Sequence, residues 1–382
     1  KTFHMNEGHC SFLVLGLLNQ YNGDIEKVRS SCHFTTHTPV PAGHDHFSLK
    51  RVKNLLSEFI PDELELPSLI QKGRLHMTEL GLSFSDSANG VSRLHGQVAQ
   101  TQFPWTNIGY ITNGVHHSYW ISSPLKRVFN KYIPNWKKDP ELLLKVDKIP
   151  DHELWDAHNE RKAYLLGYAN SLVGSALDKD TLTIGFARRS ATYKRAQLIF
   201  NDLDRLESIG KGKIQIIFSG KAHPNDHDGK MLIRQIIKKS KLMFGKVKII
   251  FLENYNMWLG RIITSGVDVW LNTPLRPNEA SGTSGMKATL NGVLNLSVLD
   301  GWWDEGCLDN INGWAVGDPE NPDDNKDADH LYSIIESKVL PIFYNDRDQW
   351  VFMMKEAIKT GISFTAHRMI KEYNRKYYRL GD

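Results

Sequence analysis

From residue 181 onward the chain alternates short, unbroken apolar runs with stretches whose apolar residues recur at helical spacing. Residues 181–187, 213–219, 247–252, 267–271 and 293–298 read as strands. Residues 196–209, 226–243, 257–265 and 284–291 read as the helices between them. Strands apolar on both faces and alternating with helices predict an α/β fold with a parallel, doubly wound sheet. Ligands of such sheets sit beyond the carboxyl ends of the strands, so the loops after Ala187, Ser219, Leu252 and Leu271 are where chemistry is expected.

Residues 1–113 lack that rhythm. Here 8–21, 49–59 and 90–103 read as helices, and 31–36 as a short strand ended by the loop Pro39-Val40-Pro41-Ala42-Gly43. A connector bearing Pro and Trp spans 114–150, and 151–177 reads as a long helix. The stretch 350–378 looks helical and is expected to pack back on the first domain. The division expected is therefore 1–113, 114–349 and 350–382.

Composition narrows the function classes. A chain of 382 residues suggests two domains of ~150 residues each. Its 47 Lys and Arg against 43 Asp and Glu leave a net charge of only +4, which argues against a polyanion binder, and so against nucleic acid. No apolar run approaches the ~20 residues a membrane span needs, and no signal-peptide layout opens the chain. Three distant cysteines, Cys10, Cys32 and Cys307, point to a reducing, cytoplasmic setting without a disulfide framework. Lys1 is not an initiator Met and informative sequence begins by His4, so a fragment of a longer protein is expected.

Three loops carry candidate chemistry. The loop 188–195 holds Arg188, Arg189, Lys194 and Arg195 with no acid, directly after a strand, and reads as a site for one or two phosphates. The run 279–287 places small residues and Thr283 at a helix start with Lys287 one turn on, an arrangement suited to a phosphate-bearing aldehyde such as pyridoxal phosphate. Ser284-Gly285-Met286-Lys287 also fits S-x-x-K, but the K-T-G strand that pattern requires is absent. Cys32, His33, His37, His44 and His46 tempt a metal reading, yet their intervals fit no common zinc pattern, and no metal is expected. Among weaker pieces, Asn113 sits at what looks like a strand end but on its own reads rather as a turn, Tyr255 is a pocket wall or core, and Trp302-Trp303 reads first as packing. The sequon at Asn295 falls in a buried strand, and no dinucleotide or P-loop glycine motif occurs.

Taken together, EASGTSGMK (279–287), GFARRSATYKR (185–195), FTTHT (34–38), ITNGV (111–115), FLENY (251–255) and HMNEGH (4–9) resemble the α-glucan (glycogen/maltodextrin) phosphorylase family, in its order and over most of the chain. THTPVPAGHD and SGKAHPNDHDGK are similar to its short bacterial and archaeal branch, and the chain looks like the second half of such an enzyme. The resemblance implies a two-domain GT-B-like architecture whose C-terminal Rossmann-like domain binds pyridoxal 5'-phosphate. It implies phosphorolysis of α-1,4-glucan (glycogen, starch or maltodextrin) by inorganic phosphate to glucose 1-phosphate, and it allows a homodimer and allosteric control.

Residue by residue, the resemblance implies that Lys287 carries the cofactor as a Schiff base. Thr283 and the N–H of Ser284 would hold its phosphate with Arg188 beside it, where the family often has Lys, and Tyr255 would line its pocket. Arg189 and Lys194 would bind the substrate phosphate, and Glu279, Tyr193, Asn113 and His37 would bond the glucosyl hydroxyls, with Glu7 orienting His37. Ser284-Gly285 replaces the family's more usual Gly-Asn. Two readings compete with this one: a sugar-nucleotide glucosyltransferase of glycogen-synthase type, and an inactive fragment that binds cofactor or glucan.

Overall fold

Two parallel sheets, one in each of two units, organise the described residues 2–59, 69–174 and 176–378 of this computed structural model. The first unit comprises 1–113 with 369–382, and the second 114–368.

In the first unit β1 (Phe3–Asn6), β2 (Cys32–Thr35), β3 (Ser87–Gly90) and β4 (Ile108–Tyr110) pair in that order, all parallel. Only the second of these strands has a counterpart in the sequence pattern. The helix expected over 90–103 starts instead at Arg93, where the Ser92 hydroxyl accepts from the His95 N–H, and Gly90 closes β3. The helix expected over 8–21 is a 3-10 turn at Gly8–Cys10 followed by a helix at Leu13–Gln20. A small antiparallel sheet joins His46–Ser48, Arg74–His76 and Ile70–Gln71.

In the second unit β5 (Leu182–Ala187), β6 (Ile214–Ser219), β7 (Lys248–Leu252), β8 (Val269–Asn272), β9 (Leu294–Val298) and β10 (Gly313–Val316) form one parallel sheet in the order β7-β6-β5-β8-β9-β10. Four of these strands are buried along their whole length, which is why they read as unbroken apolar runs. The order runs outward one way from β5 and the other way from β8, so the reversal lies between those two strands. The helix expected over 196–209 is broken: a turn at Leu198–Phe200 stops, and Asp202 caps a new helix at Leu203–Gly210.

The expected boundary at 349 also shifts. The helix Arg347–Ile362 buries Trp350, Met353, Met354 and Ile358 in the second unit's core, and only the residues from 369 on belong to the first unit. There the Tyr373 hydroxyl meets Thr35 Oγ1 at 3.2 Å and Asn89 Nδ2 at 3.1 Å. Of the terminal stretch, 379–382 lie outside the described residues.

The long helix Asp151–Val173 is tied to the sheet by a buried triad. Asp268, before β8, accepts from Lys162 Nζ at 2.5 Å, His158 Nε2 at 2.9 Å and the Thr183 N–H at 2.7 Å. Burial alone would raise the Asp268 carboxyl, but the Lys162 charge and the hydrogen bonds outweigh it and hold the group below its ordinary value. Its contribution is present above the unfolded carboxyl's pKa and is lost as pH falls through the folded one. Lys162→Met would leave that carboxylate without its cation and is expected to destabilise the second unit by about 3–5 kcal/mol. The loss should appear as a lower urea midpoint at unchanged slope; an unmoved midpoint would refute this account of the triad.

Candidate active site at the reversal of the second sheet

Arg188 is the first residue after β5 and Asn272 the last of β8, so both stand where the strand order reverses. The buried Arg188 guanidinium donates through Nη1 to Asn272 Oδ1 and through Nη2 to Glu279 Oε2. Lys194, at the end of the turn Thr192–Lys194, donates from Nζ to both Glu279 oxygens, at 2.8 and 2.7 Å. One carboxylate thus holds two buried cations. Asn272 is fixed in turn by its own Nδ2, which donates to Ser297 Oγ of β9 at 2.9 Å.

The Glu279 loop is pinned from behind. The Asp300 carboxylate accepts from the Glu279 N–H at 2.9 Å and the Gly301 N–H at 2.8 Å, and the Trp302 N–H donates to Ser281 O at 2.8 Å. Gly301 has φ +57°, and a Cβ there would lie 2.5 Å from Ser281 O, so only glycine permits this approach. Arg195, the fourth cation of the basic loop, bonds the carbonyls of Thr273 and Pro274 and pairs with Asp324 and Asp327, so it anchors the loop.

Burial works to raise Glu279, but the charges of Arg188 and Lys194 and their hydrogen bonds hold it below its ordinary value. Burial, reinforced by the Arg188 charge, brings Lys194 down to about 7 against the pull of Glu279. Tyr193, whose ring centre is 4.5 Å from Lys194 Nζ, is pushed up to about 12 by burial and by Glu279, so its hydroxyl keeps its proton. Asp300 is raised to about 7, chiefly by burial. Arg189 is exposed, and among the described residues no carboxylate pairs with it.

Lys287 lies on the helix Thr283–Thr289, which Gly282 opens with φ 81° and no side-chain cap. Its Nζ sits 4.0 Å from the centre of the Trp120 ring, and among the described residues no carboxylate pairs with it. Burial lowers the amine to about 8. Such an amine is still mostly protonated near pH 7, but its neutral fraction far exceeds that of an ordinary lysine, which suits it to condensing with a carbonyl. Asn291 fixes the Trp120 wall: its Oδ1 accepts from the Ser122 N–H at 2.8 Å, and its Nδ2 donates to Trp120 O at 3.0 Å and Lys287 O at 2.8 Å. Tyr255, half-buried after β7, is raised by burial against the opposing charge of Arg188.

His37, Glu7 and Asn113 belong to the first unit. Glu7, at φ 79°, accepts through Oε2 from the His37 N–H at 2.6 Å and the Thr38 hydroxyl at 2.9 Å. It therefore fixes the His37 backbone, the contact through which Glu7 can orient this residue, while the ring Nε2 meets Asn6 Oδ1 at 2.5 Å. Burial lowers His37, favouring the neutral ring. Asn113 follows β4, and its N–H donates to Val91 O at 3.0 Å.

The sequence reading brought out Arg188, Tyr193, Lys194 and Glu279, which the structure gathers, but it missed Asn272, Asp300, Asn291 and Trp120. Asn272 had a readable signal, a polar residue ending an apolar strand at the reversal. Trp302 and Trp303 are fully buried core rings, and Asn295 donates inside the core to Thr289 Oγ1, so neither suits a surface role. Among the described residues no group of His, Cys, Asp and Glu is placed to hold a metal, and no helix is long and apolar enough to cross a membrane.

Residues 43–303 match the carbohydrate phosphorylase family. The chain is 42% identical over 98% of its length to the maltodextrin phosphorylase of Thermococcus litoralis, covering 50% of that protein. It is 37% identical over 98% of its length to the glycogen phosphorylase of Aquifex aeolicus, covering 62% of it, and 36% identical over 99% to that of Mycobacterium tuberculosis, covering 51%. The chain thus spans about half to three fifths of the length of these curated relatives. On its fold, its strand-end cations and these matches, the chain belongs to the carbohydrate phosphorylase family.

Proposed function

We propose that this chain supplies the anion-binding half of an α-glucan phosphorylase, which transfers a glucosyl unit from α-1,4-glucan to inorganic phosphate and yields α-D-glucose 1-phosphate. The observation that carries the reading is the cluster of Arg188, Lys194 and Glu279 at the strand reversal, with Arg189 open beside it. A hydrolase would want two carboxylates flanking the scissile bond. This site instead surrounds one carboxylate with cations, which suits a phosphate nucleophile.

Arg189 and Lys194 would bind the substrate phosphate. Its P–OH proton passes to the glycosidic oxygen as the C1–O bond breaks, and a phosphate oxygen then bonds C1. Glu279, Tyr193, His37 and Asn113 offer acceptors and donors to sugar hydroxyls, and Tyr193 stays protonated to do so.

The residues around Lys287 fit pyridoxal 5'-phosphate: an amine lowered to about 8, an aromatic wall at Trp120, and an uncapped helix start at Thr283 and Ser284. Lys287 would hold its aldehyde, and Thr283, Ser284 and Arg188 its phosphate, with Tyr255 lining the pocket. When bound, the cofactor would supply a phosphate beside the substrate phosphate to assist proton transfer. The free cysteines fit a cytoplasmic setting.

Three measurements test the reading. Borohydride treatment after incubation with pyridoxal phosphate should add one reduced cofactor to the peptide containing Lys287, with labelling that rises through about pH 8. Lys287→Arg should abolish it, and labelling spread over surface lysines would overturn the assignment. The cofactor-loaded protein with maltodextrin and phosphate should form glucose 1-phosphate, and Arg189→Gln should lower that rate by roughly 10²-fold. Release of free glucose, or a requirement for a sugar nucleotide, would refute phosphorolysis.

The third measurement uses pH. Lys194 is protonated below about 7 and loses its charge as pH rises through that value. Sulfate, whose own charge is constant over this range, should therefore bind more weakly at pH 8 than at pH 6, and Lys194→Arg should flatten the profile.

A further inference from the structure

A second group of cations stands on other elements of the same unit. The helices Asp151–Val173 and Met257–Gly266 pack side by side, and with Ser123 and Pro124 at the start of the helix Ser123–Tyr132 they line a cavity of about 450 Å³. That volume lies in the range of small-ligand sites. Two guanidiniums line it. Arg161 donates from Nε to Ser265 Oγ at 2.7 Å and from Nη2 to Arg261 O at 3.4 Å. Arg261 has one long bond, Nη2 to Ile121 O at 3.5 Å, and its Nε is buried without a partner. A guanidinium carries five donors in a rigid fork, and within the described residues Arg261 uses one of them in a hydrogen bond, its Cζ lying 5.3 Å from the centre of the Tyr119 ring.

Among the described residues no carboxylate pairs with either arginine. The acid on the rim, Glu160, is taken by Arg127 at 2.5 Å. Burial and then the Arg261 charge bring Arg161 down to about 10, and the same two causes lower Lys126. Half-buried like charges side by side oppose folding unless an anion offsets them. The Trp258 and Tyr164 rings, both well exposed, form the remaining wall.

We propose that this cavity binds a phosphomonoester dianion, its phosphate on the forks of Arg161 and Arg261 and its ring-shaped organic body against Trp258 and Tyr164. Two guanidiniums match two negative charges and the geometry of phosphate oxygens. Aromatic faces at the mouth favour a body that stacks over one that is fully solvated. The site shares no residue with the loop 188–195, so it stands whether or not that loop serves phosphorolysis.

The test is calorimetric titration of the full chain with phenyl phosphate. Binding should weaken about tenfold in Arg261→Gln and in Arg161→Gln, and one binding event should persist in Arg189→Gln. Trp258→Ala should weaken phenyl phosphate about threefold while leaving inorganic phosphate unchanged. Binding lost only in Arg189→Gln, or no binding at all, would overturn the site. Equal affinity of wild type and Trp258→Ala for phenyl phosphate would overturn its aromatic half. A readout on the unmutated protein guards against misfolded variants. Phenyl phosphate should protect Arg161 and Arg261 from phenylglyoxal, mapped by peptide mass, and unchanged modification of both would refute the proposal.

Discussion

A buried carboxylate shared by two buried cations is the interaction on which the second unit's chemistry rests. Burying two cations here is costly without a counter-charge, and desolvation presses the Lys194 amine toward its neutral form. Glu279 keeps them there, and the fold keeps Glu279 there: Asp300 holds its backbone N–H and Gly301 permits the close approach of its loop. The strand reversal between β5 and β8 makes this possible, since it lets loops from opposite directions meet over one crevice.

The local charge count follows from those pairings. Arg195 is absorbed by Asp324, Asp327 and two carbonyls. Arg188, Arg189 and Lys194 then face one carboxylate, so the crevice carries two positive charges when Lys194 is protonated and one when it is not. A net charge of +4 spread over 382 residues hides this concentration. Under the proposed function an incoming phosphate would compete with Glu279 for the same donors, which would couple the carboxylate's freedom to hold a sugar hydroxyl to the presence of the anion.

Legibility in the sequence followed burial. The strands β5, β6, β8 and β9 are buried throughout, and their apolar runs could be read directly. The first unit's parallel sheet could not, because its strands are three or four residues long and Ser87-Ala88-Asn89-Gly90 alternates nothing. Beside an apolar core that takes Met5, Phe34, Ala88 and Ile108 from its strands, it carries side-chain bonding that periodicity does not record, such as His33 held between Ser87 and Asn89. Within the site, the cations and Glu279 stood out as residue types on strand-end loops. Their pairing did not, because residues 188 and 279 meet only through the sheet order. Asn272, Asp300 and Trp120 stayed hidden for the same reason: each acts through a partner distant in sequence.

The departure at Ser284-Gly285 from the wording usual in the family it resembles is a matter of packing. A Cβ at Gly285 would fall 2.6 Å from Asn295 Oδ1 and 2.8 Å from Trp302 Nε1, so in this chain the space a side chain would need is filled from β9 and from the Trp302 turn. Asn295 also binds the helix, donating to Thr289 Oγ1 at 2.7 Å. The buried face of the helix Thr283–Thr289 thus leaves no room for a side chain at 285, while Ser284 has a backbone N–H at its open end. Lys287 lies three residues before the helix C-cap Leu290, and its environment is set by Trp120 and burial, to which residue 285 contributes no charge. A glycine that the packing of the helix requires, and that adds nothing to what the Lys287 amine experiences, is compatible with an intact site.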